Sequence, residues 1–142
     1  AEKVIAVDSS EKMVEFGTQE AKENGTSNLE YRLGEIEAPP IEEGSVDIAF
    51  ISQALHHAEK PEVAIAAAHR ILKPGGRIVI LDLLKHQFEE ARELYADRWL
   101  GFSELEVSRY LTAEGFEEID ISVVDLESDP PNFQTLMAIA KK

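Results

Sequence analysis

Short apolar runs alternate with longer amphipathic segments in the first half of the chain. The β-branched run from Val4 to Val7 predicts a buried strand. Residues 10–24 carry apolar side chains at helical spacing and end at Asn24-Gly25, which predicts an amphipathic helix. Residues 29–33 alternate as a second strand, and Val46 to Ile51 is a third apolar strand. The theme is strand, helix, strand.

The second half continues this theme and then changes to strands alone. Its predicted elements are a helix from Pro61 to the turn at 73–76, a strand at 77–83, helices at 86–99 and 104–114, and strands at 117–126 and 133–140. The turn-forming stretch from Asp129 to Asn132 joins the last two strands, so we expect them to be antiparallel.

Strands that alternate with helices predict an α/β fold with a Rossmann-like, mostly parallel sheet and helices on both faces. The length of 142 residues fits a single domain over 1–142. Ligands of such sheets bind at the carboxyl ends of the strands. Candidate residues therefore follow Val7, Leu33, Ile51 and Leu81.

Composition narrows the possible partners and location. There are 28 acidic and 14 basic residues, and the net charge of −14 disfavours nucleic acid as a partner. The absence of Cys excludes disulfides and thiolate chemistry, and it fits a cytoplasmic location. No apolar run reaches the ~20 residues of a membrane span, and no leader pattern opens the chain, so we expect an untargeted protein with no membrane partner.

Asp8 is the first candidate binding residue, because it closes the first strand. A carboxylate there can accept hydrogen bonds from both hydroxyls of a ribose. Asp8-Ser9-Ser10-Glu11 also fits a capping box, in which Asp8 only satisfies the first amides of the next helix. Local sequence leaves both interpretations open.

Several motifs, in order, carry a resemblance to a known family. They are Val4 to Asp8 followed by Ser10 and Met13, then Gly34-Glu35, Val46-Asp47, Ala54-Leu55-His56-His57, and Ile71 to Gly76. Over residues 3–140 the chain resembles the class I S-adenosylmethionine-dependent methyltransferases, most closely the small-molecule enzymes related to quinone biosynthesis.

The resemblance implies S-adenosylmethionine as cofactor and assigns roles by position. Asp8 would bind the ribose, and Ser9 and Met13 would line the adenine pocket. Glu35 and Ile36 would lie beside the adenine, although the family more often has Asp at position 35. Ser52 and Gln53 would face the methionine part and the departing methyl group. Pro74, Gly75 and Gly76 would be structural and turn the chain between helix and strand.

The family's first strand, its GxGxG loop and the following helix have no counterpart in these residues. In the family's strand order, 3-2-1-4-5-7-6, the absent strand is central, so its loss leaves two bare edges. The resemblance therefore implies an N-terminally truncated domain that keeps the adenosine half of the site. Our hypothesis is that the chain is a fragment, or that its first and third strands pair directly or across a homodimer.

His57, with His56 as second choice, is the candidate catalytic base for an acceptor that must lose a proton. The alternative is that one histidine caps the next helix and the other is solvated. With His69 and His86 the chain has four histidines, but none has the spacing typical of a metal motif, so no metal site is predicted.

Two further groups have open interpretations. Asp82 and Lys85 would line the acceptor pocket or form a solvated strand end. Tyr95, Trp99 and Phe102 would form an acceptor lid or belong to the core, and core is favoured for Trp99.

The resulting prediction is a methyltransferase that acts on a small-molecule acceptor and is impaired as this fragment. The alternatives are a catalytically silent ligand-sensing domain of a transcriptional regulator and a nucleotide-binding protein without transfer activity.

Overall fold

A computed structural model describes all 142 residues. The strands are β1 (Val4–Asp8), β2 (Leu29–Leu33), β3 (Val46–Ser52), β4 (Leu72–Leu83), β5 (Glu117–Leu126) and β6 (Gln134–Lys141). The helices are α1 (Glu11–Glu23), α2 (Pro61–Ile71), α3 (Ala91–Leu94) and α4 (Glu104–Ala113), and a 3₁₀ turn covers Leu55–His57. The predicted Rossmann-like α/β fold with an antiparallel C-terminal strand pair is confirmed. None of the helices has the length and apolar character needed to cross a membrane.

The sheet is divided into two parts. β1 pairs in parallel with β2, and a second sheet has the order β3-β4-β6-β5, in which only β3 and β4 are parallel. β1 and β3 do not pair with each other, so the predicted direct pairing of the first and third strands is wrong within one chain. Each of these two strands keeps one edge without a backbone partner.

The core lies between the four-stranded sheet and helices α2 and α4. Ile65 and Ile71 of α2 and Val107 and Leu111 of α4 pack on inward-facing strand residues such as Ile80. The opposite face of the sheet carries no long helix, and on β3 it exposes Ile48 and Phe50. Exposed and buried apolar side chains alternate along β3, because successive side chains of a strand point to opposite faces of the sheet. Burial of one face therefore leaves the apolar side chains of the other face exposed.

The start of β4 differs from the prediction. β4 begins at Leu72 rather than at 77, because Leu72 already pairs with Val46, and an irregular stretch at 73–76 then joins the ladder again at Arg77. The expected turn at Pro74, Gly75 and Gly76 is thus a bulge inside the strand. Gly75 adopts a φ of +79°, and its N–H donates to the carbonyl of Lys142 at 2.9 Å.

The predicted helix at 86–99 is wrong except for its four residues Ala91–Leu94. The N–H groups of Arg98 and Trp99 both donate to the His56 carbonyl, at 3.1 and 3.0 Å, so they are not available for a helical ladder. Ala96 has a φ of +58°, which also interrupts helical backbone. Tertiary hydrogen bonds therefore override the helical spacing of most of this segment. We call residues 86–99, including the short helix α3, the 86–99 loop.

Candidate functional site

Asp8 lies half-buried at the carboxyl end of β1, and its carboxylate is only partly used by the protein. Oδ1 accepts a hydrogen bond from the Ser10 N–H at 2.8 Å, while Oδ2 has no protein partner. Ser10, not Asp8, is the N-cap of α1 and accepts from the Met13 N–H at 3.4 Å. The capping-box interpretation of Asp8 is therefore wrong, and one carboxylate oxygen is free for a ligand.

The residues predicted beside the adenine adjoin Asp8 through strand pairing. Asp8 is opposite Leu33, and the Gly34 N–H donates to the Asp8 carbonyl at 3.0 Å, which places Glu35 next to the end of β1. Glu35 is exposed, and its carboxylate makes no hydrogen bond within the chain. Ile36 is half-buried against the core, so only part of its side chain can contact a ligand.

The remaining predicted cofactor residues are accessible. Ser9 and Met13 are exposed at the start of α1. Ser52 and Gln53 are exposed where β3 ends, and the Gln53 N–H donates to the Leu81 carbonyl at 2.7 Å. The candidate site thus has two parts, one at the ends of β1 and β2 and the other at the ends of β3 and β4.

Asp82 is neither a pocket residue nor a solvated strand end, because its side chain is fully buried. One oxygen accepts from the N–H groups of Leu55 and His56, at 2.8 and 3.3 Å. The other contacts the Nδ1 of His56 at 2.7 Å and accepts from the Leu83 N–H. Asp82 therefore fixes the 3₁₀ turn that carries both adjacent histidines. Lys85 is exposed, and its ammonium group pairs with the Glu106 carboxylate at 2.9 Å.

His56 is buried between two carboxylates. Its Nδ1 faces Asp82, and its Nε2 lies 3.5 Å from the Oδ1 of Asp97. Burial lowers the pKa of His56, but the hydrogen bond and charge of Asp82, together with the charge of Asp97, outweigh it and raise the pKa above the ordinary value. His56 is thus a positioning group of the turn and is poorly accessible to a substrate.

His57 points to a more open environment, with 45% of its side chain exposed. Its Nδ1 lies 3.4 Å from the Ala96 carbonyl, which can only accept a hydrogen bond, so Nδ1 is the donor and Nε2 keeps a lone pair. Neither histidine caps α2, whose N-cap Lys60 makes no side-chain capping bond, so the capping interpretation is wrong.

Asp97 is the site residue that sequence reasoning missed. It is 5% exposed, and its buried Oδ1 has no hydrogen-bond partner. Gly101 helps to hold the 86–99 loop in place. Its φ is +76°, and a Cβ there would lie 2.6 Å from the carbonyl oxygens of Leu83 and Leu84. A buried acid in a segment predicted as helix left no signal in the sequence, because only loop closure brings it beside the histidines.

The three aromatic lid candidates behave differently from one another. Phe102 is 1% exposed and belongs to the core. Trp99 is 38% exposed, contrary to the favoured core position, and its indole N–H donates to the Ala58 carbonyl at 2.9 Å. Tyr95 is exposed in the 86–99 loop. Trp99 and Tyr95 therefore remain candidates for a wall of the acceptor site.

Comparison with known proteins identifies the family. A family model described as a methyltransferase domain matches residues 1–80. The chain belongs to this methyltransferase family. The family is S-adenosylmethionine-dependent, as the resemblance implied.

One curated relative agrees with this assignment, and two solved structures share the fold. A demethylmenaquinone methyltransferase from Lactococcus lactis is 34% identical over 103 residues, which cover 70% of this chain and 41% of that protein. The structure of YcgJ from Bacillus subtilis has a TM-score of 0.79 at 16% identity and covers 99% of this chain and 82% of that one. A geranyl diphosphate methyltransferase in complex with S-adenosylmethionine also has a TM-score of 0.79, at 17% identity, covering 98% and 68%. The chain spans less than half the length of the curated relative from L. lactis.

Proposed function

We propose that this methyltransferase-family domain binds S-adenosylmethionine and transfers its methyl group to a small-molecule acceptor. The observation that carries the proposal is the free Oδ2 of Asp8 at the carboxyl end of β1, which strand pairing places next to the backbone of Glu35, whose side chain is exposed. The residues fit the cofactor, because ribose hydroxyls and an adenine amine are donors and these carboxylates are acceptors. The similarity to a demethylmenaquinone methyltransferase supports an acceptor of the quinone-precursor type.

Each residue has a separate task in this proposal. The cofactor supplies an electrophilic methyl group when it is bound. Asp8 and Glu35 hold the adenosine part, with Ser9, Met13 and Ile36 around the adenine. Ser52 and Gln53 orient the methionine part from the end of β3. The chain's part in the transfer would be to align the acceptor's nucleophilic atom with the methyl group that the bound cofactor would supply, and such alignment provides most of the catalysis.

His57 takes the acceptor's proton at Nε2 in this proposal. Its Nδ1–H is directed at the Ala96 carbonyl, and the carboxylate of Asp97 lies 3.8 Å from the same nitrogen. A negative charge on that side stabilises the imidazolium that forms during transfer. His57 is a base only for acceptors that carry a proton on the attacking atom.

A cytoplasmic location stays a prediction, and so does the single domain over 1–142. A homodimer through the inner edges of β1 and β3 is our proposal for a protein partner. No feature of the site favours the ligand-sensing alternative.

The cofactor proposal is tested by calorimetric titration of S-adenosylmethionine into the wild-type chain and the Asp8→Ala variant. Loss of charge-assisted hydrogen bonds to the ribose should weaken binding about 10- to 100-fold. Asp47→Ala is the matched control, because Asp47 is an exposed acid at the opposite end of its strand and its loss should leave the affinity unchanged. Equal affinity of wild type and Asp8→Ala would contradict the proposal.

A further inference from the structure

A second binding site can be argued from the side chains around His56. We call Nε2 of His56, Nδ1 of His57 and Oδ1 of Asp97 the His-His-Asp cluster. The carboxylate oxygen lies 3.5 Å from His56 Nε2 and 3.8 Å from His57 Nδ1, and each of the three residues offers one ligand atom within 4.8 Å of those of the other two. Ligand atoms of a tetrahedral zinc ion are about 3.3 Å apart, since each is ~2 Å from the metal. Small side-chain rotations would bring the cluster to that spacing.

Hydrogen bonding determines the tautomer of neutral His56, and therefore whether the nitrogen that faces Asp97 can bind a metal. Every other partner of the Asp82 carboxylate is a backbone N–H, so Asp82 is an acceptor throughout and the His56 Nδ1 must donate to it. The lone pair of neutral His56 is then on Nε2, which faces Asp97. A carboxylate behind the imidazole is the arrangement that orients and strengthens histidine ligands of metals.

A second observation independently points to a cation. The Oδ1 of Asp97 is buried without any hydrogen-bond partner, and it points at the His56 nitrogen. A buried carboxylate oxygen is unfavourable unless a positive charge lies beside it, and that charge is either a protonated His56 or a metal ion bound by neutral His56. His86 is also nearby, but its Nδ1 accepts from the Phe88 N–H, so its Nε2 carries the proton and is not a ligand.

We propose that the His-His-Asp cluster binds a divalent first-row transition metal ion through two imidazole nitrogens and one carboxylate oxygen. Zinc, cobalt and iron(II) all suit this ligand set, and calcium and magnesium do not, because they prefer oxygen ligands alone. The metal would take the lone pair of His57 Nδ1 in place of its proton. Metal binding and the use of His57 as a base therefore exclude each other, so the ion would inhibit transfer.

The test is titration of the full chain with Zn²⁺ by calorimetry and with Co²⁺ by visible absorption, without cofactor and with excess Mg²⁺ to occupy exposed carboxylates. We expect one equivalent to bind and the Co²⁺ spectrum to show tetrahedral d–d bands. His57→Ala and Asp97→Asn should each weaken binding at least 10-fold. His69→Ala should bind like the wild type, because His69 packs against Phe116 away from the cluster.

Three results would overturn the proposal. They are no binding above that of the excess Mg²⁺ background, octahedral Co²⁺ spectra, and equal affinity of wild type, His57→Ala and Asp97→Asn. Circular dichroism checks that each variant folds. His57→Ala should disturb folding less than Asp97→Asn, because His57 is half-exposed and Asp97 is buried. None of these measurements uses S-adenosylmethionine, so failure of the metal site and failure of the proposed transfer activity are distinguishable.

Discussion

At the residue scale, two aspartates of similar sequence appearance have opposite environments. Asp8 ends β1 half-buried with one oxygen free, whereas Asp82 lies near the end of β4 with both oxygens used inside the protein. The first can bind a ligand. The second can only organise its neighbours, because a fully buried, fully bonded carboxylate has no surface to offer.

Replacement of Asp82 by Asn should therefore lower the free energy of unfolding of the protein, and it should not act through contacts with a ligand. The variant loses charge-assisted acceptance from the turn at residues 55–56 and the bond to His56, and we expect unfolding to become easier by about 3 kcal/mol. Urea denaturation followed by circular dichroism measures the change. Asp47→Asn is the control, since Asp47 is exposed and pairs only with Lys73, and it should change the free energy of unfolding by less than about 0.5 kcal/mol. Equal stability of the two variants would contradict the role given to Asp82.

At the element scale, local sequence signals succeeded where nothing in the tertiary structure competed with them. Ser103 and Glu106 have the S-x-x-E spacing of a capping box, and they form one at the start of α4. The Glu106 N–H donates to the Ser103 hydroxyl, and the Ser103 N–H donates to the Glu106 carboxylate. The 86–99 segment has helical spacing too, but its amides at 98 and 99 bond to His56. Helix formation there would break those hydrogen bonds, so the loop conformation is the more stable one.

The capping box should make part of the stability depend on pH. The hydrogen bond from the Ser103 backbone N–H lowers the pKa of Glu106, and the nearby Lys85 lowers it further. Burial raises the pKa by less, so the pKa of Glu106 lies below its usual value. A carboxyl whose pKa is lower in the folded state stabilises the fold above its unfolded pKa of about 4.3, and this contribution disappears as pH falls through the folded value. Glu106→Gln keeps the capping geometry but should lose this pH-dependent part.

Thermal denaturation of wild type and Glu106→Gln between neutral and acidic pH measures that effect. The difference between the two melting temperatures should shrink as the pH falls below about 4. Glu104→Gln, in the same first turn but outside the box, should have a profile parallel to that of the wild type. A constant difference at every pH for Glu106→Gln would refute the pH-dependent role.

At the scale of the whole molecule, the division of the sheet is the dominant feature. β1 and β3 each present one unpaired edge, and the open face of β3 exposes 52% of Ile48 and 69% of Phe50. Unpaired edges beside apolar surface favour association with another strand. The net charge of −14 opposes association of two copies at long range.

We therefore predict a dimer that strengthens with ionic strength, because salt screens the repulsion while the apolar contact persists. Light scattering coupled to gel filtration over a range of protein and salt concentrations measures the mass. Phe50→Lys should shift the chain to the monomer mass, and Leu94→Lys, at an exposed apolar position of α3 away from the strand edges, should not. A wild-type chain that is monomeric at every salt concentration would exclude the dimer.

The sequence by itself determined the order of elements, the α/β class and the family, because these depend on local periodicity and on motifs short enough to lie within one element. It also placed Asp8 and Glu35 correctly at strand ends. Only the tertiary structure decided that Asp82 is buried, that the 86–99 segment is a loop, and that Asp97 meets His56 and His57. The reason is physical: the hydrogen-bond and charge partners that decide these features, such as His56 for Asp82 and for Trp99, lie 26 to 43 positions away, and no local pattern encodes such contacts.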